Sequence, residues 1–251
     1  MNKIKVVLGN IEKNIQPKPE IEYFWIHSVR YQFILKKIIT IFPNHTQKIK
    51  VLDIGCFPFH VGKALEELGF EVWGISSVHE PIQGNPQIKT LNIETEKFPF
   101  PNDSFDLIIF TEILEHLVKT PVIALREIHR VLKKNGHLII STPNVCSSAK
   151  RLLLLFGKNI YYQVKDSYRE EDGDKSLYYR HNREYTMKEL EEFILNSGFQ
   201  INNKEFFISY TPFRKRKIPD NVILKLGKIL NYLLMKIIPS FKDSLYIECS
   251  K

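Results

Sequence analysis

The sequence predicts an α/β fold in which strands and helices alternate around a mostly parallel sheet. Three observations predict it. Short apolar runs alternate with helix-period segments through residues 46–142. Those runs are continuously apolar, as strands covered on both faces are, rather than alternating apolar and polar. The segment "VLDIG" (51–55) is an aliphatic strand ending in Asp53 and Gly55 just ahead of a helical pattern. That arrangement sets backbone N–H groups and a helix N-terminus beside a ligand.

Taken in order, "EYFWIHSVRYQFILKKIITIF" (22–42) carries Ile26, Tyr31, Ile34, Leu35, Ile38 and Ile41 near helical spacing, and Pro43 and Asn44 end it. "KIKVLDIG" is a first strand, and "VGKALEELGF" is a helix closed by Gly69. "EVWGIS", "QIKTLNI" and "FDLIIFT" are the second to fourth strands. "PVIALREIHRVLKKNG" reads as a helix stopping at Lys133, Lys134 and Gly136, before the strand "HLIIST". "TMKELEEFILNSGF" opens on Thr186 and Glu189 at capping-box spacing and ends at Gly198. "KEFFISY" and "SLYIECSK" are two further strands. The expected organisation is an N-terminal helical segment (1–45) and one domain (46–251) with insertions at 145–185 and 212–242.

Composition bounds the class. The chain has 251 residues, 43% hydrophobic and 25% charged, an ordinary globular balance. No stretch reaches the roughly 20 apolar residues of a membrane span, and the N-terminus has no signal-peptide pattern. Cys56, Cys146 and Cys249 show neither CxxC nor CxxH spacing, so no zinc site or disulfide framework is expected, and a reducing cytoplasm fits. The formal net charge of +8 favours anionic partners or none in particular.

The loop after "VLDIG" decides the cofactor class. A dinucleotide site needs GxGxxG and an acid about 20 residues on. Here Phe57, Pro58 and Phe59 fill the loop and Ser76 ends the second strand, so a nicotinamide cofactor is excluded. The ordered segments "VLDIGCFPF", "VWGISS", "LNIETEKFPFPNDSFDLIIFTEILEHL", "ALREIHRVLKKNGHLIISTPN" and "HNREYTMKELEEFILNSGF" resemble the class I S-adenosylmethionine-dependent methyltransferases. The likeness covers most of residues 22–211 and is nearest to enzymes of surface-glycan, lipid and secondary-metabolite pathways. It implies a doubly wound, seven-stranded, mostly parallel Rossmann-like sheet in which "LYIECSK" is antiparallel.

The resemblance further implies that Asp53, Gly55, Cys56 and Phe57 line the methionine part of the cofactor. Ser76 stands where an acid usually grips the ribose. Asn92, Ile93 and Glu94 fall in the adenine-contacting stretch, and Thr111 and Glu112 lie beside the sulfonium. Three departures share this site: Phe for glycine, Ser for the ribose acid, Asn for the adenine acid. A Phe-Pro turn replaces the glycines if its φ stays negative. Serine and asparagine still hydrogen-bond, without charge assistance, which weakens binding about tenfold.

Methyl transfer to a hydroxyl requires positioning, water exclusion and removal of a proton. Glu112 and His116, four apart, share one face if "TEILEHLVK" is a helix, making His116 a candidate base with a carboxylate to orient it. Glu115 and Lys119 read as a surface pair. His181, in "YYRHNREYT" with Arg180, Arg183 and Tyr185, is a second candidate. The other histidines (27, 45, 60, 79, 129, 137) have no ligand spacing, so no metal is expected. "FTEI" in place of D/N-P-P-Y/F excludes adenine or glutamine amino methylation.

In the second insertion "RKRK" (214–217) precedes a stripe of Val222, Ile223, Leu226, Ile229, Leu230, Leu233, Leu234, Ile237 and Ile238, with Lys225, Lys228 and Lys236 off it. It is either a helix buried on the protein's own sheet, a dimer contact, or an interfacial helix holding 214–240 on an anionic membrane. In the first insertion, Tyr161, Tyr162, Tyr168, Tyr178 and Tyr179 stack on sugar rings or form a small lid core. The expected function is S-adenosylmethionine-dependent O-methylation of a sugar, glycan precursor or other small acceptor, in a cytoplasmic protein with or without peripheral membrane contact. The alternatives are a non-catalytic binding protein of the same fold and an RNA methyltransferase.

Overall fold

A computed structural model describes residues 2–15, 18–43, 46–77, 82, 84–161, 180–210 and 222–251. The basic run 214–217, Tyr162, Tyr168, Tyr178, Tyr179, His45 and His79 lie outside the described residues, as do the side chains of Val222, Ile223, Lys225 and Leu226.

Two helices, α1 (Asn2–Asn14) and α2 (Lys18–Ile41), precede the sheet. The remaining elements are β1 (Lys50–Ile54), α3 (His60–Glu67), β2 (Glu71–Ser76), β3 (Ile88–Thr90), β4 (Phe105–Thr111), α4 (Val122–Val131), β5 (Leu132–Pro143), α5 (Ser148–Leu155), α6 (Met187–Asn196), β6 (Gln200–Phe207), α7 (Val222–Ile237) and β7 (Ser244–Ser250). One seven-stranded sheet has the order β3-β2-β1-β4-β5-β7-β6, with β7 antiparallel to β5 and β6. The doubly wound fold and the antiparallel "LYIECSK" strand therefore stand as read from the sequence.

Two apolar cores explain the continuously apolar strands. Val51, Leu107 and Ile109 face a core with α1, α2 and α3, including Val7, Leu35, Ile38 and Leu65. Leu52, Ile54, Ile108 and Phe110 face the opposite core with Leu125, Ile128, Leu190 and Ile194 of α4 and α6. Successive residues point to opposite faces, so a strand with two apolar faces has no polar positions.

Three local expectations are corrected. Helix α4 stops at Val131, not in "KKNG", because Leu132 is fully buried and already pairs with Phe105 of β4. The turn is made inside the strand, with Asn135 at φ 63°. The helical pattern read over 22–42 begins too late: α2 starts at Lys18, and α1 precedes it within the same N-terminal segment. On α2, Ile26 is exposed, whereas Phe24 is 2% exposed and belongs to the core. The capping box of α6 is as expected, with Thr186 Oγ1 accepting from the Glu189 N–H at 3.2 Å and Glu189 Oε2 from the Thr186 N–H at 2.8 Å.

The segments that carry the family resemblance have structural work of their own. Arg130 of α4 donates to the carbonyls of Phe98 and Phe100 at 3.0 and 2.8 Å, fixing the "FPFPND" turn that feeds β4. Asn144, fully buried after β5, donates to the carbonyls of Ser240 and Lys242 at 2.9 and 2.8 Å.

Candidate functional site

The chain leaves β1 for β2 and β3 on one side and returns to β4 on the other. Between β1 and β4 the sheet order reverses, and the crevice beyond their carboxyl ends is the expected ligand site of an open α/β sheet. A cavity of about 700 Å³ occupies that position, inside the range of about 300–1,000 Å³ for small-molecule sites.

One end of the cavity is the loop after β1. Gly55 has φ 72°, and a Cβ there would stand 2.0 Å from Cδ1 of Ile113, so glycine is required twice over. The N–H groups of Gly55 and Cys56 both donate to the Ile75 carbonyl, at 2.8 and 3.1 Å, and hold the turn against β2. Phe59 has φ 66°, correcting the expectation that a Phe-Pro turn keeps φ negative. Its buried ring occupies the place a side chain at Gly62 would need, which anchors the strained residue in the core under α3. Phe57 is 45% exposed and lines the cavity.

Asp53 lines the same end and is 5% exposed. Burial raises its carboxyl to about 7. Ser76 is fully buried, and its hydroxyl is 3.0 Å from Thr90 Oγ1, so much of its hydrogen-bonding capacity is directed at β3. Asn92 and Ile93 line the cavity, with Asn92 Oδ1 accepting from the Glu94 N–H at 2.9 Å. Glu94 is buried, and its carboxylate accepts from the backbone N–H of Lys119. It therefore ties the β3–β4 connection to the segment after β4. Thr111 lines the cavity at the end of β4.

At the other end, the expectation of a helix through 112–119 is corrected. Glu112 has φ 57° and only Leu114–His116 form a short 3-10 turn. Glu112 therefore shares no helix face with His116. Its carboxylate accepts from Ser141 Oγ at 2.8 Å and pairs with Arg30 of α2 at 3.2 Å. Desolvation pushes the guanidinium of Arg30 down, and Glu112 together with Tyr31, Tyr23 and Glu115 more than offsets this, leaving its pKa above the ordinary value. The carboxylate nearest His116 is Glu115, whose Oε1 is 3.7 Å from His116 Nε2. Glu115 is 1% exposed, so the surface pair with Lys119 is also corrected.

The two candidate histidines do meet. His116 and His181 pack edge to face with ring centroids 5.0 Å apart. The 180–183 segment is tied to the turn by backbone bonds from Asn182 and Arg183 to the Glu115 carbonyl, and by Asn182 Nδ2 donating to the His116 carbonyl at 2.9 Å. Lys150, Ser209, Tyr210 and Asp243 complete this end.

Helix α2 supplies a wall that was missed as part of the site. Tyr23, His27, Arg30 and Tyr31 all line the cavity. Burial, with the charges of Arg30 and His60, lowers His27 to about 3, so it is neutral there. The available signal was Tyr23, His27 and Arg30 at spacings of four and three, a polar stripe on an otherwise apolar helix.

The comparisons agree with this geometry. A methyltransferase-domain family model matches residues 25–203, more than half of the chain. The ubiquinone biosynthesis O-methyltransferase of Rickettsia akari is 27% identical over 143 residues, covering 54% of this chain and 56% of its own. The protein so named in Rickettsia canadensis is 24% identical over 207 residues, covering 78% and 81%. The matched region thus spans little more than half of the first relative and about four-fifths of the second. Among solved structures, a SAM-dependent methyltransferase from Archaeoglobus fulgidus superposes with a TM-score of 0.56 at 16% identity, covering 88% of this chain and 94% of that one, a likeness of fold. With the switch-point cavity and the "VLDIG" turn already in place, the chain belongs to the methyltransferase-domain family of S-adenosylmethionine-dependent enzymes.

Proposed function

We propose that this chain transfers a methyl group to a hydroxyl of a small acceptor. The observation that carries the reading is a single cavity lined at one end by the Asp53–Phe57 loop and at the other by His116 and His181. The residues fit the cofactor: a buried carboxylate faces the space, Leu91, Ile93 and Ile75 offer an apolar bed for a base, and Asn92 stands beside them. When bound, S-adenosylmethionine supplies an electrophilic methyl group on a sulfonium. Asp53 then faces a cationic ligand and is held ionised, while Phe57 and α2 exclude water from the transfer path.

His116 is the proposed proton acceptor. Its Nδ1 is 3.1 Å from the Arg180 carbonyl, which only accepts, so Nδ1 carries the hydrogen and Nε2 is the basic atom. His116 Nε2 would take the proton of the acceptor hydroxyl while that oxygen takes the methyl group the cofactor would supply. Tyr23, Ile26 and Tyr31 on α2 favour an acceptor with a ring. Sugar and glycan acceptors remain within this reading. The names of the curated relatives speak of O-methylation in ubiquinone biosynthesis and of no sugar.

Peripheral contact with an anionic membrane is part of the proposal. No helix among the described residues is long and apolar enough to cross a membrane. Yet Leu152–Phe156 are exposed in succession, and Ile229, Leu230, Leu233 and Ile237 of α7 are exposed rather than buried on the sheet. Arg151, Lys158, Lys228 and Lys236 belong to the same segments, the composition of an interfacial surface.

The deciding experiment is calorimetric titration with S-adenosylmethionine and S-adenosylhomocysteine, followed by transfer of labelled methyl to hydroxyl acceptors. Micromolar binding and labelled ether product are expected. Absence of binding at millimolar cofactor by folded protein would replace this reading with the non-catalytic one, which the Ser76–Thr90 bond favours. RNA binding that falls steeply with salt would favour an RNA substrate.

A further inference from the structure

We propose that Tyr31 is a further cofactor-contacting residue, its phenol oxygen held by His60 and Glu20 with a lone pair towards the sulfonium of S-adenosylmethionine. The inference rests on the methyl-transfer reading and deepens it. Tyr31 distinguishes the charged methyl donor from the neutral thioether left after transfer, and His60 and Glu20 are its positioning residues.

The β1 loop keeps most of its backbone donors for itself. Gly55 and Cys56 donate to the Ile75 carbonyl, Phe59 donates to the Cys56 carbonyl, and Pro58 has no N–H. Side chains of the facing wall therefore carry more of the recognition, and Tyr31 of α2 lines that wall.

Glu20, His60 and Tyr31 form a chain of polar contacts from α2 to the first residue of α3 and back. His60 Nε2 is 3.1 Å from Glu20 Oε1, and the Tyr31 hydroxyl is 3.4 Å from His60 Nδ1. A carboxylate only accepts, so Nε2 carries the ring hydrogen and Nδ1 the lone pair. Burial and the charge of Lys63 push the imidazole down further than Glu20 raises it, so the ring is neutral and keeps this tautomer. Burial also pushes the Tyr31 phenol up, so it keeps its hydrogen and gives it to Nδ1. The phenol oxygen then has only lone pairs to offer a ligand. Its direction is fixed by packing. Both rings are buried, and Phe24 lies edge-on to His60 at 5.2 Å and 5.8 Å from the Tyr31 ring.

The place of that oxygen favours the sulfonium over other parts of the cofactor. Arg30, the preceding residue, is bound to Glu112 at the acceptor end, while Asp53 belongs to the cofactor end. The charges of Arg30 and Asp53 both reach the Tyr31 phenol, so it stands where the two ends meet. A methyl group passing from one end to the other crosses that point. Glu112 balances the charge of Arg30, which leaves the oriented lone pair free to favour a cation. Chain spacing could not reveal this set. Tyr31 reads as one apolar position of a helical stripe, and 29 and 40 residues separate His60 from its two partners.

The test is calorimetric titration of the full chain with S-adenosylmethionine and with S-adenosylhomocysteine at pH 8, where Asp53 is largely ionised in wild type and variants alike. Tyr31→Phe is expected to weaken S-adenosylmethionine about tenfold and S-adenosylhomocysteine less than about twofold. His60→Phe keeps a packed ring but frees the tyrosine hydroxyl, and is expected to lower the same ratio about threefold. Glu20→Gln still accepts from Nε2 and is expected to keep the ratio within about twofold of wild type. A ratio of the two affinities is a readout that loosened packing does not move, and the unfolding midpoint reports that the variants remain folded. Equal weakening of both ligands in Tyr31→Phe would overturn the proposal, since Tyr31 would then shape the cofactor's bed or meet the ammonium that both ligands share. Unchanged affinity for both would overturn it as well. Either result leaves the methyl-transfer reading standing, whereas folded wild-type chain that binds neither ligand would refute that reading and this contact with it.

Discussion

Replacing Asp53 by asparagine separates the energetic consequence of its burial from its part in ligand binding. The folded carboxyl is raised from 3.8 to about 7 by desolvation. Below about pH 4 both folded and unfolded chains hold the proton. As pH rises the unfolded chain releases it first, so this group's contribution to stability falls up to about pH 7 and is level above it. At about 1.36 kcal/mol per pKa unit the whole loss is about 4 kcal/mol, of which about 2.5 kcal/mol falls between pH 5 and pH 8. The amide of the Asp53→Asn variant has no titrating proton and escapes that loss. Urea unfolding of both proteins without cofactor, at pH 5 and pH 8, measures the difference. The variant is expected to gain about 2.5 kcal/mol relative to wild type on going to pH 8. Its affinity for S-adenosylmethionine is expected to drop and to become insensitive to pH, whereas wild-type affinity rises through pH 7 as Asp53 ionises. A stability gap unchanged within about 0.5 kcal/mol would refute the reasoning, since Asp53 would then ionise in the folded chain at its ordinary pKa.

Gly55→Ala places a Cβ against Ile113 at φ 72°; the expected loss is about 2–4 kcal/mol in urea unfolding, and Ile113→Ala relieves the collision but not the strained φ. Arg30→Met leaves Glu112 half-buried without its partner, an expected loss of about 3 kcal/mol that adding Glu112→Gln largely restores in a double-mutant cycle. For the membrane contact, Leu155→Ser with Leu230→Ser and Ile237→Ser is expected to release the protein from anionic vesicles in co-sedimentation without changing cofactor binding; retention on the vesicles would show that the apolar surface plays no part in the contact.

The fold was legible because the strands of this sheet have two apolar faces and the helices close on glycines or caps. Gly69, Gly198 and the Thr186–Glu189 box mark ends that local chemistry decides. The end of α4 was illegible for the opposite reason. Lys133, Lys134 and Gly136 form a good local helix stop, and the burial of Leu132 beside Phe105 overrides it. The β1 loop of the cofactor end was legible in Asp53 and Gly55 because it is built from consecutive residues. The acceptor end was only half legible. His116 and His181 could be named, but not their meeting. The polar stripe of α2 marked a special face but not which element it meets, and Glu115 looked like a surface residue. Each of those facts depends on segments far apart in the chain.

That difference in construction has a functional consequence. The β1 loop at the cofactor end is one strand, one turn and the first turn of α3, held by the two N–H groups that donate to Ile75. The acceptor end is a junction of α2, the 114–116 turn and the 180–184 segment, held by Arg30–Glu112, by Asn182 on the Glu115 and His116 carbonyls, and by His181 on Glu184. A junction of separate segments loosens one tether at a time, while a local turn is either formed or not. Asn182→Ala, which removes a donor to the His116 carbonyl but touches nothing of the β1 loop, should therefore leave S-adenosylhomocysteine affinity intact and reduce turnover by misplacing both imidazoles. Calorimetry and methyl-transfer rates on the same preparation separate these outcomes. Equal losses in both would mean that the cavity's two ends are one cooperative unit and that the histidine pair also shapes the cofactor's bed.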